Sequence, residues 1–292
     1  MRRLLLLACF CGLLLPGCNN NDDPDDDDGG PGPSDPTQVH YTALGASDAL
    51  GIGGSVPCVP FTPCTEGTGY VPRIARELRG TNAAFELTNM GLPGAVLSRE
   101  VQDIGNSVGI GINSNFLQHE APFVPASTTI VTIFAGANDS NTLATALDRG
   151  IAGAGNANIY IDQQVAAFAE DYAELVSIIR RRAPSAEIFV LNLPNFAGLP
   201  FAENRPLRDR QWLQRLSVGF TVEGANALVR QNVTVVDLLC DPRSYLASTY
   251  SQDGFHPNDA GYAFMADAAL AAINGGGRPP SADCPQMTIV PR

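Results

Sequence analysis

The chain has 292 residues, 45% of them apolar, with 18 arginines, no lysine, 30 acids and three histidines, for a formal net charge of −12. That length and apolar share suit one large core, and no internal repeat suggests a second domain. The acidic balance excludes nucleic acid as a partner. The lack of lysine excludes Schiff-base chemistry, a lysine-dependent phosphate loop and a Ser–Lys dyad, and three histidines are too few for most metal-hydrolase sites.

In chain order, Met1-Arg-Arg ahead of the apolar run Leu4–Leu15 reads as a secretion signal over 1–18, too short to span as a mature helix. Leu15-Pro16-Gly17-Cys18 resembles the lipobox of bacterial lipoproteins. The resemblance implies lipidation at Cys18, a membrane anchor and a place in the bacterial envelope; Asn19 after it leans towards the outer membrane. Ordinary signal cleavage nearby is the alternative. Residues 19–38 are expected to form a disordered acidic linker, since Asn19–Pro36 holds no bulky apolar side chain to repay the entropy of folding. Its six acids within Asp22–Asp28 read as a self-repelling tether rather than a calcium site. Without residues 1–36 the chain carries 16 arginines against 23 acids, a net −7.

Over 39–274, short β-rich runs alternate with helical patterns, the signature of a parallel sheet covered on both faces. Strands are expected near 39–44, 85–90, 128–135, 187–193 and 233–239. Val165, Phe168, Ala169, Tyr172, Leu175, Val176 and Ile179 recur at helical spacing, predicting a helix over 161–182 that Ala183-Pro184 stops. Pro257-Asn258-Asp259 opens another with Tyr262, Met265, Ala266, Ala269, Leu270 and Ile273 as its stripe, closed by Gly275-Gly-Gly. Residues 275–292 are left as a C-terminal tail. With Cys9 and Cys11 in the signal and Cys18 taking lipid, Cys58, Cys64, Cys240 and Cys284 remain. Four cysteines allow three pairings; Cys58–Cys64 and Cys240–Cys284 are favoured, with a metal site as the alternative.

The chemistry concentrates in four places. Asp253-Gly-Phe-His256 puts a carboxylate within reach of an imidazole on one short loop. That pair activates a serine hydroxyl by accepting its proton and fixing the imidazole tautomer. Gly91-Leu-Pro-Gly94 and Gly136-Ala-Asn138-Asp139 each follow a predicted strand and offer amide donors for an oxyanion. Gly45-Ala-Ser47-Asp48 ends the first strand and supplies the hydroxyl. Together with Asn89-Met90, these four blocks resemble, in order, the signature blocks of the SGNH (GDSL-type) serine hydrolases, over roughly residues 39–274. The resemblance implies a three-layer α/β/α sandwich on a five-stranded parallel sheet, flavodoxin-like in order. It implies Ser47 as nucleophile, His256 as base and Asp253 as its orienting partner. Ser47 N–H, Gly94 N–H and the Asn138 amide would form the oxyanion hole, and Gly94 is preferred to Gly91 for its distance from Asn89. The activity implied is hydrolysis of carboxylic esters, esterase- or lipase-like, by a monomer without metal or cofactor. One departure is Ala46, where the family usually carries aspartate before the serine; the acid here stands at Asp48.

Competing readings exist. Gly105-Asn-Ser107-Val-Gly109 fits the G-x-S-x-G elbow of α/β-hydrolases, but no β-branched strand enters it and no helical pattern follows. His40 and His119 lack partners at telling spacing. Asp48 and Asp139 read as loop-fixing groups, and Trp212 as core or pocket lining. The insertion between Ala49 and Thr68 is either a wall of the acyl pocket or a braced surface loop, and 105–126 is a second candidate wall. The substrate could instead be an acetylated polysaccharide or peptidoglycan, or the chain a non-catalytic surface lipoprotein that binds glycans or lipids.

Overall fold

The computed structural model describes residues 38–82 and 84–291. The signal segment expected over 1–18 with its lipidation at Cys18, and the linker expected over 19–38 apart from Gln38, which already opens the first strand, lie outside the described residues. Strands β1 (Gln38–Gly45), β2 (Ala84–Asn89), β3 (Ile130–Phe134), β4 (Glu187–Leu191) and β5 (Thr234–Val236) form one parallel sheet in the order β2-β1-β3-β4-β5. The central strands Ile-Val-Thr-Ile-Phe and Glu-Ile-Phe-Val-Leu are almost entirely buried, as strands covered on both faces must be.

The helices are α1 (Tyr70–Thr81), α2 (Arg99–Ser107), α3 (Phe116–His119), α4 (Ala137–Asp148), α5 (Ala157–Arg182), α6 (Leu207–Gly219) and α7 (Asp259–Ala271). The crossover from β1 to β2 runs one way along the sheet and those from β2 onward run the other. Right-handed connections therefore place their helices on opposite faces. Accordingly α1 packs on α7, while α2, α4, α5 and α6 pack among themselves. The result is the expected three-layer sandwich. The order of strands reverses between β1 and β3, and in such sheets ligands bind beyond the carboxyl ends at that switch.

Element ends depart from the sequence reading for local reasons. Helix α5 starts at Ala157, because Asn156 caps it by accepting from the N–H groups of Asn158 and Ile159. Its stripe packs as the spacing requires, with Phe168 stacked on Phe220 at 4.0 Å between centroids. Strand β5 stops at Val236, because Asn192 Oδ1 draws off the N–H groups of Leu238 (2.7 Å) and Leu239 (2.9 Å). Helix α7 begins where Asn258 accepts from the N–H groups of Ala260 and Gly261. It passes through one wider turn before Gly275 leaves the helix at φ +81°.

Both favoured disulfides are formed, Cys58–Cys64 and Cys240–Cys284, with Cα–Cα distances of 5.6 and 5.8 Å, which removes the metal alternative for these cysteines. The second bond fastens the tail, where Asn195 Nδ2 donates to Gln286 O and Gln214 Nε2 to Val290 O, each at 2.9 Å. Trp212 packs half-buried at the edge of the core with the Arg208 guanidinium 4.6 Å from its ring centre. Among the described residues no helix is long and apolar enough to cross a membrane.

Candidate active site

Strand β1 runs into a single 3₁₀ turn, Ser47–Leu50. As its first residue, Ser47 leaves its N–H without an intrahelical acceptor. Several groups hold this turn. Asn89, at the end of β2, donates through Nδ2 to Ala49 O (2.8 Å) and accepts the Gly91 N–H on Oδ1 (3.0 Å). The carboxyl of Glu120 accepts the Gly45 N–H at 3.0 Å. The 49–68 insertion is tied to α7, with Tyr262 OH donating to Ile52 O (2.6 Å) and Asp259 accepting from Ser55 N–H and Oγ (2.7 and 2.6 Å). It thereby braces the serine turn against the element that follows the histidine. It also roofs a groove of about 520 Å³ along edge strand β2, lined by Leu50, Val59, Phe61, Phe85 and Leu87.

Ser47 and His256 meet across 209 positions, with Oγ 2.9 Å from Nε2. On the other ring nitrogen, Nδ1 lies 2.6 Å from Asp253 Oδ2. Asp253 Oδ1 is saturated by Ser251 Oγ (2.8 Å) and the N–H groups of Phe255 (2.8 Å) and His256 (2.9 Å). Burial pushes the Asp253 carboxyl up, but the hydrogen bonds from His256, Phe255 and Ser251 outweigh it and hold its pKa at about 2. It is therefore a fixed anion, which holds the ring proton on Nδ1 and leaves the Nε2 lone pair facing the serine. The loop needs Gly254, with φ +69°, since a Cβ there would sit 2.6 Å from Phe201 N.

Beyond β2, Pro93 and Gly94 form the centre of a turn closed by Ala95 N–H donating to Leu92 O at 3.0 Å. Gly94 has φ +76°, as the third residue of a type II turn requires. Its N–H has no acceptor among the described residues, whereas that of Gly91 is taken by Asn89. This separates two glycines that the sequence divides only by distance. Beyond β3, Asn138 lies in the first turn of α4, whose positive end faces the rim. One N–H of its amide donates to Ala95 O (2.9 Å), and an amide carries a second. Asp139 Oδ1 accepts the Leu97 N–H at 2.8 Å, so two bonds stitch the Gly94 loop to the start of α4. Burial raises the Asp139 carboxyl to about 7 despite that bond.

Other candidates fall outside the site. Asp139 is a loop-fixing group as expected, but Asp48 is not: its carboxyl accepts from no other residue among those described. It lines an apolar cavity of about 40 Å³ with Phe134, Leu199, Phe255, Pro257 and Met265, and burial raises its pKa. His119 Nδ1 accepts from Asn115 N–H (3.1 Å), and His40 Nδ1 lies 3.1 Å from Ser127 Oγ and 3.2 Å from Glu86. The G-x-S-x-G sequence closes helix α2, where Ser107 Oγ donates to Ile104 O (2.7 Å) and meets no imidazole. The 105–126 stretch reaches the start of the serine turn through the Glu120–Gly45 hydrogen bond, and Glu120 is a group that sequence motifs give no reason to single out.

A family model, "GDSL-like Lipase/Acylhydrolase family", matches residues 43–264. The chain belongs to this family. Among solved structures, the GDSL-like fold is shared with the lipase Lip_vut3 from a goat rumen metagenome (20% identity, TM-score 0.55, covering 82% of this chain and 99% of that one). It is shared also with a putative GDSL-like lipase from Parabacteroides merdae (17%, 0.52, 81% and 96%). An extracellular lipase from Streptomyces rimosus is similar as well (16%, 0.50, 82% and 100%). A search of curated proteins found no match.

Proposed function

We propose that this GDSL-like hydrolase cleaves carboxylic esters through an acyl-enzyme on Ser47. As Oγ attacks the ester carbonyl carbon, His256 Nε2 takes the serine proton. The carbonyl π electrons move onto oxygen, where the N–H groups of Ser47 and Gly94 and the Asn138 amide donate to the new anion. Collapse expels the alcohol, which leaves with the proton from His256. A water then gives a proton to His256 and attacks the acyl carbon; the second collapse frees the carboxylic acid and returns the proton to Ser47. The observation that carries this reading is the unbroken relay from Ser47 Oγ to Nε2 at 2.9 Å and from Nδ1 to Asp253 at 2.6 Å.

A fluorophosphonate probe tests it, because an activated serine attacks the phosphorus of that reagent, expels fluoride and is left phosphonylated. On the full chain the label is expected on the peptide bearing Ser47. An unlabelled chain would leave a non-catalytic binding lipoprotein, and a label on Ser107 would move the nucleophile to α2. Asn138→Ala is expected to lower kcat by about 10²–10³ with little change in KM, as loss of one oxyanion donor does; a loss under threefold removes Asn138 from the hole. Turnover across p-nitrophenyl esters of rising chain length, set beside acetate release from acetylated glycan, separates an esterase or lipase from an O-acetylesterase. The Leu15–Cys18 motif supports tethering this activity to the bacterial envelope through lipid on Cys18.

A further inference from the structure

We propose that Glu120 is a positioning residue for the nucleophile: through the Gly45 N–H it fixes the turn that aims Ser47. This rests on Ser47 being the nucleophile. The residue immediately before Ser47 is Ala46, which stands at the cap position of the 3₁₀ turn and makes no side-chain bond to it. The turn is gripped instead one peptide earlier. Glu120 Oε2 accepts the Gly45 N–H at 3.0 Å from a site 75 positions downstream. The Gly45 carbonyl in turn accepts the Leu92 N–H at 3.1 Å. The same residue is thus held by Glu120 on its N–H and by the loop that carries Gly94 on its carbonyl, so its placement sets both the serine and an oxyanion donor.

Glu120 is itself rigidly seated. It is fully buried, its N–H donates to Phe116 O (3.2 Å) and its carbonyl accepts from Phe123 N–H (3.0 Å), beside the fully buried Phe116, Ala121 and Val124. Burial raises its carboxyl well above the usual range, and the Gly45 N–H offsets this only in part. Its other oxygen, Oε1, has no partner among the described residues. Burying a carboxyl for one backbone hydrogen bond is unfavourable for folding, and a role in aiming the serine accounts for it. A neutral acid accepts through its carbonyl oxygen as an amide does, so glutamine can replace it and leucine cannot.

The experiment compares Glu120→Gln, Glu120→Leu and Glu120→Asp in the full chain, measuring kcat and KM on p-nitrophenyl acetate and the rate of Ser47 labelling. Misplacing a reacting group by about 1 Å costs on the order of 10² in rate. Glu120→Leu is therefore expected to lose roughly 10- to 100-fold in kcat and labelling rate, with KM within twofold and Glu120→Gln near wild type. Glu120→Asp, whose carboxyl is drawn back by one methylene, is expected to fall roughly tenfold, and it decides the matter if the leucine variant does not fold. A wild type that neither turns over nor labels removes the nucleophile reading and this one with it. A wild type that does both removes the Glu120 role alone if the aspartate and leucine variants keep full kcat, or if glutamine loses as much as leucine.

Discussion

Replacing Ser47 by alanine is expected to lower kcat/KM for ester hydrolysis by about 10⁴–10⁶ while leaving the fold intact. Serine, imidazole and carboxylate act as one unit, so removal of the nucleophile costs about as much as loss of the whole set, and what remains comes from the oxyanion donors and binding. The stability side of the argument is local. Among the described residues the Ser47 hydroxyl pairs only with His256, whose ring retains its bond to Asp253. The turn is held by Asn89 and by the Gly45 N–H, not by the hydroxyl. Losing the half-buried Ser47–His256 hydrogen bond costs about 0.5–1.5 kcal/mol, so Tm should fall by no more than about 6 °C. A folded Ser47→Ala protein with wild-type turnover of p-nitrophenyl acetate would sink the assignment.

The parts of this site that the sequence exposes are those whose geometry is local. Asp253 and His256 sit three residues apart on one loop, so their pairing follows from the chain itself. The strands ahead of Ser47 and Asn138 show as largely apolar or β-branched runs because a sheet covered on both faces buries them, whereas edge strand β2 ahead of Gly94 is half-exposed and keeps Glu86 on its surface. What the sequence hides is decided by side chains that arrive from elsewhere. Glu120 reaches Gly45 across a separation in which no pattern links them. Asn192 ends β5 by taking N–H groups that Leu238 and Leu239 would otherwise offer to the ladder. Asp48 follows the serine directly, yet the turn sends its side chain into an apolar cavity, so adjacency in sequence misleads about its role. The choice between Gly91 and Gly94 belongs with these, since it turns on the Asn89 side chain.

Asp253→Asn is expected to lower kcat by about 10²–10⁴, with KM nearly unchanged, because it spoils the tautomer of His256 rather than substrate binding. An asparagine keeping its oxygen toward the N–H groups of Phe255 and His256, now 2.8 and 2.9 Å from Oδ1, must turn its NH₂ toward Nδ1. Two donors would then face one another unless Nδ1 gives up its proton. The proton then moves to Nε2, where it faces Ser47 and the ring no longer accepts. The flipped amide fares no better, since its NH₂ would meet two backbone N–H groups. The loop thus disfavours the flipped amide and so traps the imidazole in the unproductive form. A pH signature accompanies the rate. The folded-state pKa of Asp253 is depressed to about 2 from an unfolded value of about 3.9. Its stabilising contribution is therefore complete above about pH 4 and lost as pH falls towards 2. The wild type should shed that part of its stability over this window and the asparagine variant should not, as followed by thermal unfolding between pH 2 and 5. Nitrogen-15 spectra of the His256 ring would show the proton moving from Nδ1 to Nε2. A rate loss below tenfold with the wild-type tautomer retained would mean that the ring is oriented by something other than this carboxylate.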